Sequence, residues 1–252
     1  MHPILWQGFG FALYSYGLLV GLGILSGTGL AYARMKKRFG NADFLIPWMI
    51  VVMIAAFFGA RALHAVYFPD LFWEDPLRFI FKTGGLVWYG GFFAAFGTFL
   101  LLAWRSAYPA LALTDALAPG ALLGLAFGRI GCFLAGCCFG KPCATEWLAV
   151  RYPELAHPTH GLAVHPVQLY ESAGALVLLG LTLLIEKKIK GDGLATGLFL
   201  AGYGVLRFIL EMLRGDTIQV EALSASQWIS IGSFIIGLIL ILLAMRKSPS
   251  PE

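Results

Sequence analysis

The sequence predicts an all-α integral membrane bundle of about seven transmembrane helices, and three observations carry that prediction. The 252 residues are 59% hydrophobic and only 13% charged, with a mean hydropathy of +0.78, whereas a soluble domain carries roughly a quarter charged residues. Seven apolar runs approach or exceed the ~20 residues needed to cross a bilayer. The connections between them are alternately rich and poor in Lys and Arg, the asymmetry that sets orientation in a membrane. The chain is expected to form one polytopic domain over residues 1–252.

The first span, about residues 12–33, follows neither a basic stretch nor a small-residue cleavage motif, so it reads as a retained helix and not a signal peptide. Gly17, Gly21, Gly23, Gly27 and Gly29 give it small-residue strips suited to close helix approach. The second span, about 44–67, carries Arg61 and, three residues on, His64, which reads as a satisfied core histidine. The third, about 84–104, is bracketed at its start by Gly84-Gly85 and by Tyr89-Gly90-Gly91, where a bend or a close backbone approach to a ligand is expected. The fourth, about 113–136, has Asp115 at its start as an N-terminal charge or cap, and Arg129 close to its end.

A longer connection at about 139–164, with Pro142, Pro153 and Pro158, reads as a small ordered extramembrane region. Beyond it, His165-Pro166 opens the fifth span, about 166–185, with Gln168, Tyr170 and Glu171 in its first turns. The sixth, about 194–213, places Arg207 and Glu211 four residues apart, with Arg214 seven after Arg207, on one helix face. The seventh is about 226–245.

Ten of the eighteen Lys and Arg residues fall in the connections of one face: Arg34, Lys36, Lys37, Arg38, Arg105, Lys187, Lys188, Lys190, Arg246 and Lys247. The positive-inside rule therefore puts the C-terminus in the cytoplasm and the N-terminus, with the 139–164 region, outside it. No basic patch interleaved with aromatic residues points to nucleic acid.

Arg61, Arg129 and Arg207 then lie towards the outer ends of outward-running spans, where their guanidinium groups can converge at one depth. Intramembrane charge is rare and marks function by default. Inter-helix ion pairs of Arg129 or Arg207 with Glu171 or Glu211 are one reading of these groups. The arginine excess suits an anionic ligand as well, because guanidinium forks match phosphate geometry. Tyr14, Tyr16, Trp88, Tyr89 and Tyr203 stand near span ends, where aromatic belts are expected.

The four cysteines, Cys132, Cys137, Cys138 and Cys143, follow a C-x4-C-C-x4-C spacing. That is not a usual zinc pattern and no histidine adjoins it, so no metal is expected. A disulfide of Cys143 with Cys137 or Cys138 is expected at an end that faces an oxidising compartment. Cys132 reads as a small packed residue; a reactive thiol beside the arginine is the alternative.

These motifs, in this order, resemble the prolipoprotein diacylglyceryl transferases. The resemblance runs over nearly the whole chain: Tyr16-Gly17; Gly84-Gly85 and Gly90-Gly91; Gly128-Arg129-Ile130-Gly131 with Phe133 and Gly136; His165-Pro166-x-Gln168-Leu169-Tyr170-Glu171; and Gly202-Tyr203-Gly204-x-x-Arg207-Phe208-x-x-Glu211-x-x-Arg214. It implies a multi-pass enzyme of the bacterial inner membrane that needs no cofactor. Such an enzyme moves diacylglyceryl from phosphatidylglycerol to the lipobox cysteine of a preprolipoprotein and releases glycerol phosphate.

The resemblance implies catalytic roles for Arg129, Arg207 and Tyr89. It implies substrate contacts for Tyr16, Arg61, Gly90, Gly91, Cys132, Gln168, Tyr170, Glu171, Glu211 and Arg214. The chain departs from the family pattern in two places: Tyr89 stands where a histidine, a proposed base, is usual, and Cys132, Ala135 and Cys137 stand where Asn, Asn and Glu are usual. A non-catalytic binder of phospholipid or lipoprotein is the second reading, and a small-anion transporter the third. The third is disfavoured because no internal repeat is evident.

Overall fold

A computed structural model describes residues 3–8, 11–81, 87–152, 159, 161–215 and 223–246. Gly84 and Gly85, as well as Pro153 and Pro158, lie outside the described residues. The chain divides into two compact units, residues 1–34 with 114–252 and residues 35–113.

The order of elements is β1 (Ile4–Gly8), β2 (Phe11–Tyr14), α1 (Ser15–Phe39), α2 (Leu45–Tyr67), α3 (Pro69–Glu74), α4 (Pro76–Phe81), α5 (Trp88–Arg105), α6 (Ala110–Ala135), β3 (Val150–Arg151), β4 (Ala163–Val164), α7 (Val167–Lys188), α8 (Leu194–Leu213) and α9 (Ala225–Arg246). Every predicted span coincides with one long helix. Among the described residues, α1, α2, α6, α7, α8 and α9 are long and apolar enough to cross a membrane. The third predicted span, α5, has 18 residues, and three glycines and Arg105 among them lower its apolar character. Missing from the prediction were the hairpin of β1 and β2, which pairs Gly8 with Phe11 and Ile4 with Tyr14, and the two short helices after α2.

Glycine sets how closely the helices of the first unit pack. A Cβ on Gly27 of α1 would lie 2.5 Å from the carbonyl oxygen of Gly120 on α6, and one on Gly23 would lie 2.9 Å from that of Gly124. Two of the five glycines of α1 thus serve helix contact, as expected; Gly17, Gly21 and Gly29 face open space. Gly204 of α8 meets the backbone of Ser230 on α9 in the same way. Leu122, Ala126 and Ala175 form the core between α6 and α7, with Leu178 and Phe199 packed against them.

Asp115 corrects an expectation. It does not cap its own helix; its carboxylate caps α8. Oδ2 accepts from Gly193 N–H at 2.6 Å, and Oδ1 accepts from Thr196 N–H at 2.9 Å and from the Thr196 hydroxyl at 2.8 Å. These are donors that a helix start leaves without intrahelical partners, and the side chain is 1% exposed. Its backbone carbonyl is also in use. Pro119 lies inside α6 and has no N–H to offer the carbonyl four residues back. Arg34 Nη2 fills that place with a 3.2 Å hydrogen bond to Asp115 O, and pairs with Glu186 of α7 at 2.7 Å. Replacing Asp115 with Ala is expected to lower stability by about 2–3 kcal/mol. Thermal unfolding in detergent checks this, with Asp115→Asn recovering part of the loss.

In the second unit α2 packs on α5 through Gly59 and Gly90. A Cβ on Gly59 would lie 2.5 Å from Gly90 O, and one on Gly91 would lie 3.1 Å from Ala56 O. A neighbouring helix thus makes a close backbone approach at Gly90-Gly91. His64 stacks on Phe79 with ring centroids 4.9 Å apart, but it is half-buried and its Nδ1 has no hydrogen bond among the described residues, so it is not the satisfied core histidine expected.

Candidate active site

The site of the first unit is assembled by α6, α7 and α8, which bring Arg129, Glu171 and Arg207 together. Arg129 stands two turns before the end of α6, Glu171 in the second turn of α7, and Arg207 two turns before the end of α8. Glu171 is 1% exposed and takes three partners. Its Oε2 lies 3.0 Å from Arg129 Nε and 3.9 Å from Arg207 Nη1, while Oε1 accepts from the Tyr203 hydroxyl at 2.6 Å. The two arginines expected to act together thus converge on one carboxylate oxygen.

A second carboxylate continues the array. Glu211 Oε2 lies 2.6 Å from Arg207 Nη2 and 3.9 Å from Arg214 Nε, and its Oε1 accepts from the Ser224 hydroxyl at 2.9 Å. Ser224 in turn caps α9. Its hydroxyl accepts from Gln227 N–H at 3.2 Å, while Gln227 Oε1 accepts from Ser224 N–H at 2.9 Å, a reciprocal capping box.

Three guanidinium groups against two carboxylates leave the array one positive charge in excess. Arg129 engages Glu171 through Nε, and its side chain is 19% exposed. Arg207 Nη1 is buried without a hydrogen bond among the described residues. In a water-poor setting such donors are worth far more to an anion than they are in solution.

The other expected site residues are distributed differently. Gln168 is 1% exposed and its Nε2 donates to Cys137 O at 2.5 Å and to the Tyr152 hydroxyl at 3.0 Å. It ties the turn after α6 to the start of α7. Tyr170 lies between His165, 3.4 Å from Nδ1, and the carbonyl of Leu148, to which it donates at 3.3 Å. Both residues hold the 139–164 region. That region is also laced to the end of α8: Lys141 N–H donates to Leu213 O at 2.7 Å, and Gly140 pairs with Arg214 in a backbone bridge. A Cβ on Gly140 would lie 2.7 Å from the His165 carbonyl, so only glycine permits the crossing. Tyr16 packs against Gly131 of α6, where an added Cβ would meet its ring at 3.3 Å, and remains 47% exposed.

Arg61, Tyr89, Gly90 and Gly91 belong to the second unit. Arg61 is buried in α2, its guanidinium 5.7 Å from the centre of the Phe57 ring, and Tyr89 is exposed at the start of α5.

All four cysteines are free. The disulfide expected for Cys143 is absent; its thiol is buried and donates to Thr145 O at 3.5 Å. Cys137 and Cys138 turn instead towards Cys132, and the three sulfurs lie within 4.8 Å of one another. The turn that does this has Gly136 at φ 76° and Cys138 at φ 61°, a left-handed backbone rare for a residue with a Cβ. Hydrogen bonds from Cys132 and Cys137 hold the Cys138 thiol well below its ordinary pKa, aided by Arg214 and Arg129, whereas the Cys137 thiol is pushed up.

Sequence reasoning left Tyr203 to an aromatic belt and did not single out Ser224. The first was legible in principle, because Tyr203 precedes Arg207 by four residues and so shares its face. The second was legible as Ser224-x-x-Gln227 before an apolar run.

The chain is similar to a set of named proteins over nearly its full length. The family model described as prolipoprotein diacylglyceryl transferase matches residues 3–243. A phosphatidylglycerol–prolipoprotein diacylglyceryl transferase of Clostridium tetani is 34% identical over 239 residues, 94% of this chain and 96% of the relative. The second enzyme of that name from Clostridium perfringens is 34% identical over 244 residues, 95% of this chain and 94% of the relative. One from Gloeobacter violaceus is 30% identical over 258 residues, 99% of this chain and 95% of the relative. With the arginine–glutamate array of α6, α7 and α8 in place inside a membrane bundle, the chain belongs to the prolipoprotein diacylglyceryl transferase family.

Proposed function

We propose that the protein transfers diacylglyceryl from phosphatidylglycerol to the lipobox cysteine thiol of a preprolipoprotein. The observation that supports this best is the pair of guanidinium groups, Arg129 and Arg207, gathered on Glu171 in a membrane bundle of this family. In the reaction the substrate sulfur forms a bond to the terminal glyceryl carbon as that carbon's bond to the phosphate oxygen breaks. The electron pair leaves with glycerol phosphate, and the thiol proton passes to a base. Arg129 and Arg207 stabilise the charge that grows on the departing phosphate, an electrostatic contribution made before the reaction starts. Glu171 and Tyr203 hold the two arginines in place, and Glu211 and Ser224 hold Arg207 from its other side. The nucleophile belongs to the protein substrate, so the reaction requires no cysteine of this chain. Tyr89 takes the sequence place where the family has a histidine and is assigned to the thiol end of the reaction.

The protein is a multi-pass bacterial membrane protein in this reading, located in the inner membrane with its N-terminus outside and its C-terminus in the cytoplasm. The last turns of α1, α5, α7 and α9 carry the basic residues that set this orientation: Lys36, Lys37 and Arg38; Arg105; Lys187 and Lys188; and Arg246.

One strain tests both points. The gene is expected to rescue a bacterium depleted of its own transferase, and its purified product to lipidate a synthetic lipobox peptide in phosphatidylglycerol vesicles. In the same cells, a single cysteine placed in the C-terminal tail of a variant lacking the native four is expected to resist a membrane-impermeant maleimide. Stable membrane expression without rescue or lipidation would favour a binding protein over a transferase.

A further inference from the structure

We propose that Cys132, Cys137 and Cys138 form a binding site for a single soft, thiolate-seeking metal ion, beside the arginine array. Geometry supplies the first argument. The three sulfurs lie within 4.8 Å of one another, and bonds of about 2.3 Å to one ion would set them roughly 3.8–4 Å apart. The separations in the structure are therefore at most about 1 Å above what one ion requires.

Backbone conformation supplies a second and independent argument. Neighbouring residues in an extended chain send their side chains to opposite sides, so Cys137 and Cys138 would ordinarily diverge. Here the chain leaves α6 through Gly136 at φ 76° and takes Cys138 at φ 61°. A residue bearing a Cβ pays in strain for that conformation, and such strain clusters at functional positions. Its result is that two adjacent thiols face a third at the end of the preceding helix. The turn is fixed by further contacts: Cys137 N–H donates to Cys132 O at 3.1 Å, and Cys137 O accepts from the buried Gln168 Nε2.

Chemistry and access agree with the assignment. Three sulfur donors with no carboxylate or imidazole among them select ions such as monovalent copper, zinc or cadmium over calcium or magnesium. Cys132 is buried, Cys138 half-buried and Cys137 exposed, which gives the site a closed floor and an open mouth. Each sulfur that ligates gives up its proton to solvent, so up to three protons leave as one ion binds. The guanidinium groups of Arg214 and Arg129 act on the Cys138 sulfur and offset the negative charge that the thiolates bring. Cys143 lies outside the cluster and supplies the internal control.

The experiment uses the full chain, purified in detergent under reducing, oxygen-free conditions and titrated with Cd2+. One equivalent is expected to bind, with the ultraviolet absorption of sulfur-to-metal charge transfer. Cys132→Ser, Cys137→Ser and Cys138→Gly are each expected to weaken binding by at least the roughly 10–100-fold that loss of a mere supporting partner costs a metal site. Cys143→Ser is expected to leave it unchanged. Cys138→Gly keeps the left-handed turn while removing the thiol, so a lost ligand is distinguished from a lost fold. Three results overturn the proposal: no stoichiometric uptake by the reduced protein, uptake that survives Cys138→Gly at full affinity, or loss of two free thiols to a disulfide within the cluster under the same reducing conditions.

Discussion

Arg129→Ala and Arg207→Ala are each expected to slow transfer to a lipobox peptide by about 10²–10³-fold, the range seen when one preorganised donor to a developing anion is removed. The fall should appear in the turnover rate more than in the apparent affinity for phosphatidylglycerol, because charge on the bridging oxygen grows only as the bond to carbon breaks. The two losses should not simply add. Both arginines contact the same oxygen of Glu171, and removing one frees the other to reorient. Lysine at either position restores the charge but not the planar fork, so partial recovery is expected at best. Arg207 is bound on both sides, by Glu171 and Glu211, so its loss should disturb the fold more than that of Arg129. Melting temperatures measured beside the rates separate the two effects. Full activity in both alanine variants would exclude the pair from the reaction.

The second large effect is expected at Glu171, where alanine should destabilise the protein by about 3–5 kcal/mol. The side chain is almost wholly buried and answers two guanidinium groups and a phenol; without it those groups are left buried and unmatched. Glutamine is the more informative change. It keeps the shape, and its carbonyl can still accept from Tyr203, but it removes the negative charge. In the resting protein Glu171 occupies the position of an anion between the two arginines, so an incoming phosphate competes with it. Glu171→Gln should therefore bind glycerol phosphate about tenfold more tightly, a gain of about 1.4 kcal/mol, while transferring diacylglyceryl more slowly because the arginines are less well held. Inhibition by added glycerol phosphate measures the first effect and peptide lipidation the second. Unchanged inhibition would reduce Glu171 to a structural ion-pair partner.

The helices and the charged residues of the site were legible in the sequence for one reason: both are local signals. An apolar run announces a span, and a charge inside it announces a need for partners. What could not be read were pairings across long stretches of chain. Asp115 looked like the cap of its own helix, whereas its donors are at Gly193 and Thr196. Tyr203 looked like a belt residue until its hydroxyl was found on Glu171. The cysteines were misread because spacing alone does not convey backbone handedness. With Cys138 in a left-handed conformation the sulfurs of Cys137 and Cys138 meet Cys132, and the disulfide expected with Cys143 is not made. The close contact of Gly90 and Gly91 with α2 likewise depends on a helix some thirty residues earlier in the chain.

Arg34 also bears on how the protein is made. Its partners are 81 residues ahead at Asp115 and 152 residues ahead at Glu186. A ribosome adding about 5–20 residues per second takes roughly 8–30 s to supply the second of them. Until α7 has been made the Arg34–Glu186 pair cannot form, and until α6 has been made Arg34 has no Asp115 carbonyl to meet. Arg34 is therefore the clasp that closes α1 onto α6 and α7, and it closes only late in synthesis.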